Sequence, residues 1–283
     1  MKKIIAVLMI LFVAGFAFAA GQQDAGSASG EASFSGNYAF GGSTTVEPII
    51  RAAAEAFAEM YPSVKISYDA PGSSAGVKGP LEGTYSIGAA SRSLKPEEVE
   101  AGALATAIAK DGVAVVVNKG SVPMDDIKLE DVIAIYAGEI TNWSQIGGPD
   151  AEIVVFNRDE ASGTRSCFND ATVKTQKKSF TETAAIVTSN GDMVAKVGST
   201  PYAIGYCGFG YLGKDAGTKS VTVSMVEPTV ANVLNGSFPI QRDLILITKG
   251  PAPAGSLEEA FINYILSDEG QEIVEEEKFI PMN

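Results

Sequence analysis

Residues 47 to 76 read EPIIRAAAEAFAEMYPSVKISYDAPGSSAG, and three kinds of local structure follow one another in this stretch. Ile49, Ala53, Phe57 and Met60 recur at helical spacing, with Pro48 suited to a first turn. VKISY at 64 to 68 then alternates as a strand, and PGSSAG closes the segment with glycine and small hydroxyls where a loop should open a further helix. The same succession continues along the chain. SIGAAS at 86–91, GVAVVVN at 112–118, EIVVF at 152–156, PYAIGYC at 201–207 and DLILIT at 243–248 are apolar runs of strand length. Helical patterns fall between most of them, among them LEDVIAIYAG at 129–138 and LEEAFINYILSDEGQEIVEEE at 257–277. That alternation predicts an α/β fold with mixed, mostly parallel sheets and flanking helices, whose ligands sit beyond the carboxyl ends of the strands.

The first nineteen residues fall outside the fold. Lys2 and Lys3 precede an apolar run that ends in Ala17-Phe18-Ala19, the pattern of an export signal with a small-x-small cleavage site. No cysteine follows the run, so lipid attachment there is not supported. Residues 20–33 are rich in Gly, Ser and Gln and read as a flexible tether. Some 250 residues then remain, enough for two lobes of ordinary domain size.

Taking the two signal lysines from the 21 basic residues leaves 19 against 34 acidic ones, a net charge of −15. Phosphodiester backbones need clustered Lys and Arg, so nucleic acid is excluded as a partner. Cys167 and Cys207 can either pair in an oxidising compartment or serve as two small buried hydrophobes. The chain has no histidine.

That absence decides two motif matches. GSSAG at 72–76 fits a nucleophile elbow with Ser74 at its centre, but a serine nucleophile needs a base and there is no histidine to supply one. Metal chemistry lacks histidine, paired cysteines and a calcium loop, so neither a metal nor a cofactor is expected. GFGYLG at 208–213 fits a dinucleotide fingerprint in spacing alone; KDAGTKS follows it instead of an apolar helix, which makes it a turn-rich connection.

RDEASGTRS at 158–166 is different in kind, because its members suit a small anion rather than a reaction. A strand ends near Phe156, Arg158 offers a planar fork of donors, and Ser162, Gly163 and Thr164 lie where a helix begins. Amides at a helix start point outward and carry the positive end of its dipole. GSTTVEP at 42–48 and GSSAG at 72–76 share the design of strand, hydroxyl-glycine loop and helix.

The runs GGSTTVEPIIRAAAEAF, PGSSAGVKGPLEGTYSIGAASRSLKPEE, IYAGEITNWSQIGG, RDEASGTRSCF, AIGY and YILSDEGQEIV, in this order, resemble the phosphate-binding proteins of bacterial phosphate ABC transporters, in particular the shorter members of that family. The resemblance covers about Phe34 to Asn283. It implies a Venus-flytrap receptor, with residues 34–112 and 239–283 as one lobe and 113–238 as the other. Such a receptor closes on inorganic phosphate and delivers it to a membrane permease. It further implies an exported monomer, periplasmic or on the outer face of the cytoplasmic membrane, without enzymatic activity. Carried over by position, Thr44, Thr45, Ser73, Ser91, Arg158, Ser162, Gly163 and Thr164 would hold the anion, with Glu160 paired to the arginine. Two positions depart from the family. Ser91 stands where many relatives carry a carboxylate that accepts the proton of hydrogen phosphate, with Arg92 next to it, and Ser86 stands where an aspartate usually leads the strand. The rival ligand is another tetrahedral oxyanion, such as sulfate or a molybdate-like anion.

Overall fold

The computed structural model describes residues 33–283. The export signal at 1–19 and all but the last residue of the tether at 20–33 lie outside the described residues.

The chain runs β1 (Gly36–Gly42), α1 (Glu47–Met60), β2 (Val64–Asp69), α2 (Ser73–Glu82), β3 (Ile87–Ala90), α3 (Pro96–Glu100) and the long β4 (Ala103–Asn118). There follow β5 (Asp126–Ile127), α4 (Leu129–Tyr136), β6 (Val154–Arg158), α5 (Gly163–Ala171), β7 (Ala185–Val187), α6 (Asn190–Ser199) and β8 (Ala203–Gly208). It ends with β9 (Thr218–Ser220), β10 (Thr222–Val223), α7 (Val230–Leu234), β11 (Gln241–Lys249), α8 (Leu257–Leu266) and α9 (Asp268–Glu276).

The main sheet has the order β2-β1-β3-β11-β4-β8-β6-β7, with β9 also paired to β4. Its outer strands are parallel, β1 to β2 and β3 on one side and β6 to β7 and β8 on the other. The middle is antiparallel, because β11 returns between β3 and β4. β4 belongs to both halves: Ala103 to Gly112 pair with β11, and Val113 to Asn118 pair with β8 and β9. Alternating small residues in ALATAIAKD, residues 103–111, hide the first half of this strand from a hydrophobic pattern, so the expected strand began only at Gly112.

Two principal apolar cores follow from the two halves. One gathers Phe40, Ile49, Phe57, Leu246 and Phe261, and the other gathers Val113, Val115, Trp143, Phe168, Tyr206 and Phe238. Burial of each such large side chain contributes about 1.5–3 kcal/mol. α1 buries Ile49, Ile50, Ala53 and Phe57 as its stripe predicts, but Met60 is 47 % exposed. The helix ends there, and Tyr61, whose ring lies 4.8 Å from that of Phe57 and 5.0 Å from that of Phe34, takes the place the stripe assigned to Met60. The helical pattern at 257–277 is two helices, since Ser267 ends α8 and its hydroxyl accepts from Gly270 N to cap α9.

GSSAG has a structural explanation that needs no nucleophile. A Cβ on Gly76 would fall 2.1 Å from the Ala89 carbonyl and 2.9 Å from the Gly42 Cα, so α2 can lie this close to β1 and β3 only with glycine there. GFGYLG forms a single turn of 3-10 helix at Phe209–Tyr211, as a connection should. Both cysteines are free, and burial pushes the Cys167 thiol up to about 11 and Cys207 up to about 12, which makes them inert small hydrophobes.

Candidate anion-binding site

Three strand-to-helix loops converge beside the crossing strands β4 and β11. The loop after β1 carries Ser43, Thr44 and Thr45. It is held by two tyrosine hydroxyls, Tyr68 donating to Ser43 O at 2.8 Å and Tyr211 donating to Thr44 O at 2.7 Å. Ser73 opens α2, and its Oγ accepts from Ser91 N at 3.1 Å. Ser162 caps α5, accepting from Arg165 N at 3.1 Å, which sets Gly163 and Thr164 as its first helical residues with their amides outward. Asp159 shapes this loop by accepting from Ala161 N at 2.8 Å.

The loops of the two halves touch. Ser74 N donates to Ala161 O at 3.1 Å, and the Thr45 and Thr164 hydroxyls lie 3.0 Å apart. Ser91 Oγ receives the Ser43 hydroxyl at 2.9 Å and lies 3.3 Å from Ser73 Oγ. Gly163 fits against this pair only because it lacks a side chain: a Cβ there would fall 2.2 Å from Ser73 Oγ and 2.7 Å from Ser91 Oγ. Thr44, Thr45, Ser73, Ser91, Arg158, Ser162, Gly163 and Thr164 are all buried and all come to this one place.

Arg158 is the last residue of β6, two positions later than the strand end expected from sequence, and its side chain is 1 % exposed. Nη2 donates to Thr188 O at 2.8 Å and to Thr44 Oγ1 at 3.3 Å. Nε and Nη1 are buried without a hydrogen-bond partner among the described residues. Burial pulls its pKa down, but an arginine stays protonated at neutral pH. The site therefore holds a buried cation with three N–H groups still to be satisfied, surrounded by hydroxyls and helix-start amides. Among small ligands, an oxyanion of several acceptor oxygens answers that set of donors.

Glu160 does not play the supporting role expected of it. It is exposed and forms no ion pair with Arg158. The turn made by Asp159 directs the next side chain to solvent. Two other charges near the site are also committed elsewhere: Glu47 pairs with Arg51 at 2.8 Å, and Arg92 is held by Glu98 at 2.7 Å. Burial alone would push the Glu98 carboxyl up, but hydrogen bonds from Arg92 and the Lys95 amide, with both charges, hold it below its ordinary value. Ser86, in place of the leading aspartate, donates its amide to Ala39 O at 2.8 Å and acts within the sheet.

Sequence reasoning missed several residues here. VTSNGDM at 187–193 is a fourth loop of the same design, and it brings Thr188 and Asn190 to the site; its hydroxyl, glycine and helix pattern was the available signal. Asn190 Nδ2 donates to Thr45 Oγ1 at 2.9 Å and to Thr44 Oγ1 at 3.1 Å. Arg242 of β11 and Asp111 of β4 face each other in register and form a buried ion pair at 2.7 Å. Arg242 also donates to Thr45 Oγ1 at 3.2 Å and Ser91 O at 3.1 Å, and Asp111 accepts from Phe209 N at 3.0 Å. Burial pushes the Asp111 carboxyl up from its ordinary value, opposed by the charge and hydrogen bond of Arg242. These two lie 131 residues apart, and no local pattern pairs them.

Comparison with known proteins points the same way. Residues 27–269 match the model of the PBP superfamily domain. The phosphate-binding protein PstS of Borreliella burgdorferi is 36 % identical over 85 % of this chain and 88 % of its own, and that of Bacillus subtilis is 34 % identical over 100 % and 95 %. Among solved structures, the phosphate ABC transporter substrate-binding protein of Clostridium perfringens, with bound phosphate, superposes with a TM-score of 0.81 and 39 % identity over 88 % of this chain and 100 % of its own.

Proposed function

From the fact that the chain belongs to the PBP superfamily, and within it to the phosphate-binding proteins, we propose that it binds inorganic phosphate between two lobes and passes it to a membrane ABC importer. The observation that carries this reading is the Arg158 guanidinium, 1 % exposed, with Nε and Nη1 unpartnered among hydroxyls drawn from both halves of the chain. Thr44, Thr45, Ser73, Ser91, Arg158, Ser162, Gly163 and Thr164 take the anion, and no chemical step is needed.

The two lobes are residues 34–112 with 239–283, and 113–238. In support, β4 changes partners between Gly112 and Val113. The connecting strands β4 and β11 flex as the lobes close, and the loops that touch across the site make closure favourable when the anion bridges them. The protein acts as an exported monomer without enzymatic activity, in the periplasm or at the outer face of the cytoplasmic membrane. Among the described residues no helix is long and apolar enough to cross a membrane.

A second reading, a receptor for another tetrahedral oxyanion such as sulfate, is favoured by one observation: no carboxylate lies where the family places its proton acceptor, since Ser91 occupies that position and Glu160 is exposed. Competition calorimetry on refolded, ligand-free protein separates the two. Phosphate should bind reversibly without turnover, and at a hundred times Kd it should add about 2.7 kcal/mol to stability. A melting temperature unmoved by millimolar phosphate overturns the proposal.

A further inference from the structure

The hydroxyls of Thr44 and Thr45 have their acceptor capacity filled by the protein itself. Asn190 is fully buried, and its Oδ1 accepts from Gly208 N at 3.2 Å. A backbone N–H can only donate, so the carboxamide oxygen must face Gly208 and Nδ2 must face the two threonines. Each of its two N–H groups reaches one of them, at 3.1 Å for Thr44 and 2.9 Å for Thr45. A second N–H arrives at each oxygen, from Arg158 Nη2 at 3.3 Å on Thr44 and from Arg242 Nη2 at 3.2 Å on Thr45. A hydroxyl oxygen has two lone pairs, and both are now used. The remaining capacity of each threonine is its own proton, which can only be given away.

The proton of Thr45 has Thr164 Oγ1 at 3.0 Å, and accepting it leaves the Thr164 hydroxyl free to donate onward. Thr44 thus presents an O–H group and no free lone pair, whereas Thr164, which accepts only from Thr45, keeps one lone pair beside its own proton. Arg242 is fixed in turn by Asp111, which accepts from both its Nε and Nη2. Ser91 Oγ receives the Ser43 hydroxyl and lies 3.3 Å from Ser73 Oγ, a contact in which either hydroxyl can donate; when Ser91 donates it, one Ser91 lone pair stays open.

We infer that Asn190 is a positioning and specificity-determining residue, which with Arg158 turns the Thr44 hydroxyl into an obligate donor toward the bound anion and with the Asp111-held Arg242 commits the Thr45 proton to Thr164. This rests on the reading of the site as one for phosphate. It goes further in stating which form of anion these groups select. A donor fixed at Thr44 favours a fully ionised oxygen there and imposes no penalty on sulfate, whereas hydrogen phosphate must place its proton at another group of the site, such as Thr164 or Ser91.

The test is calorimetry with phosphate and with sulfate on the full chain and two variants, Asn190→Ala and Asn190→Asp, each checked for a cooperative melt without ligand. The parent should bind both anions measurably. Asn190→Ala frees one lone pair on each threonine. Phosphate should weaken by about tenfold and sulfate by about a further tenfold, as the loss of one aligned donor to a charged ligand suggests, because only hydrogen phosphate can use the freed oxygens. A purely structural role would weaken both by the same factor. Asn190→Asp keeps the shape but draws the two hydroxyls toward its own carboxylate, and should lose about 100-fold or more for both anions.

Equal losses of phosphate and sulfate in Asn190→Ala overturn the inference, as does an Asn190→Asp protein that binds phosphate like the parent. If Asn190→Asp does not fold, the anion ratio in Asn190→Ala decides alone. A parent that binds phosphate but shows no sulfate binding refutes the donor role assigned to Thr44. A parent that binds no phosphate refutes the reading beneath it.

Discussion

Replacing Arg158 by Met removes a guanidinium that is 1 % exposed and keeps a similar unbranched stem in the space. Nε and Nη1 carry three N–H groups without partners among the described residues, enough for two charge-assisted bonds to an anion. Such bonds contribute about 1.5–3 kcal/mol each, and truncating one partner of a buried charged contact costs about 2–5 kcal/mol in measured interfaces. Phosphate affinity should therefore fall by about 100- to 1,000-fold, since about 1.4 kcal/mol is tenfold. The effect on the ligand-free protein should be different. Among the described residues Arg158 has no carboxylate partner, and two of its nitrogens are buried and unsatisfied, so removing it also removes a desolvation penalty. The ligand-free melting temperature should stay level or rise while binding collapses. Calorimetric titration and scanning calorimetry on parent, Arg158→Met and Arg165→Ala would read both effects. Arg165 sits over the Phe180 ring at 5.0 Å, so its loss should leave affinity nearly unchanged. A Kd within fivefold of the parent for Arg158→Met, or a larger loss for Arg165→Ala, would refute the assignment.

Gly163→Ala should block the approach of the facing loops, because its Cβ would lie 2.2 Å from Ser73 Oγ; phosphate should bind weakly, and the radius of gyration from small-angle scattering should no longer shrink on its addition. Arg242→Ala leaves Asp111 buried and unpaired, and should destabilise the protein by about 3–5 kcal/mol in urea titration, partly relieved by adding Asp111→Asn. Glu98 has a depressed folded-state pKa. The stability it contributes is thus complete above its ordinary value of 4.5 and is lost as pH falls through the lower folded value; Glu98→Gln should flatten that acid limb in melts recorded across it. Ser91→Asp should widen the phosphate-to-sulfate affinity ratio, mainly by repelling sulfate, and an unchanged ratio in competition calorimetry would mean that Ser91 does not meet the anion.

The sequence by itself determined the α/β succession and the three loops that build the site. Both are local in origin: helical and strand periodicities report which face of each element is apolar, and a hydroxyl-glycine run between strand and helix reports a helix start with outward amides. Arg158, Ser162, Gly163 and Thr164 were legible for that reason, whereas Thr44, Thr45, Ser73 and Ser91 were named through the family resemblance; the structure buries all eight at one place. The fourth loop, with Thr188 and Asn190, carried the same local signal. The lack of histidine argued against a serine nucleophile before any geometry was known.

What only the tertiary structure decided is how the charges pair. Glu160 stands two residues from Arg158 yet turns to solvent, while Asp111 finds Arg242 from 131 residues away because β4 and β11 lie side by side in register. The length of β4, half of it in small residues, also depended on having β11 as a neighbour. The identity of Gly76 is explained only by the Ala89 carbonyl that lies 2.1 Å from where its Cβ would be. Hydrophobic periodicity is written residue by residue along the chain, but which donor satisfies which acceptor in a buried site is set by strands that meet only on folding, and one turn of backbone is enough to send a neighbouring charge the other way.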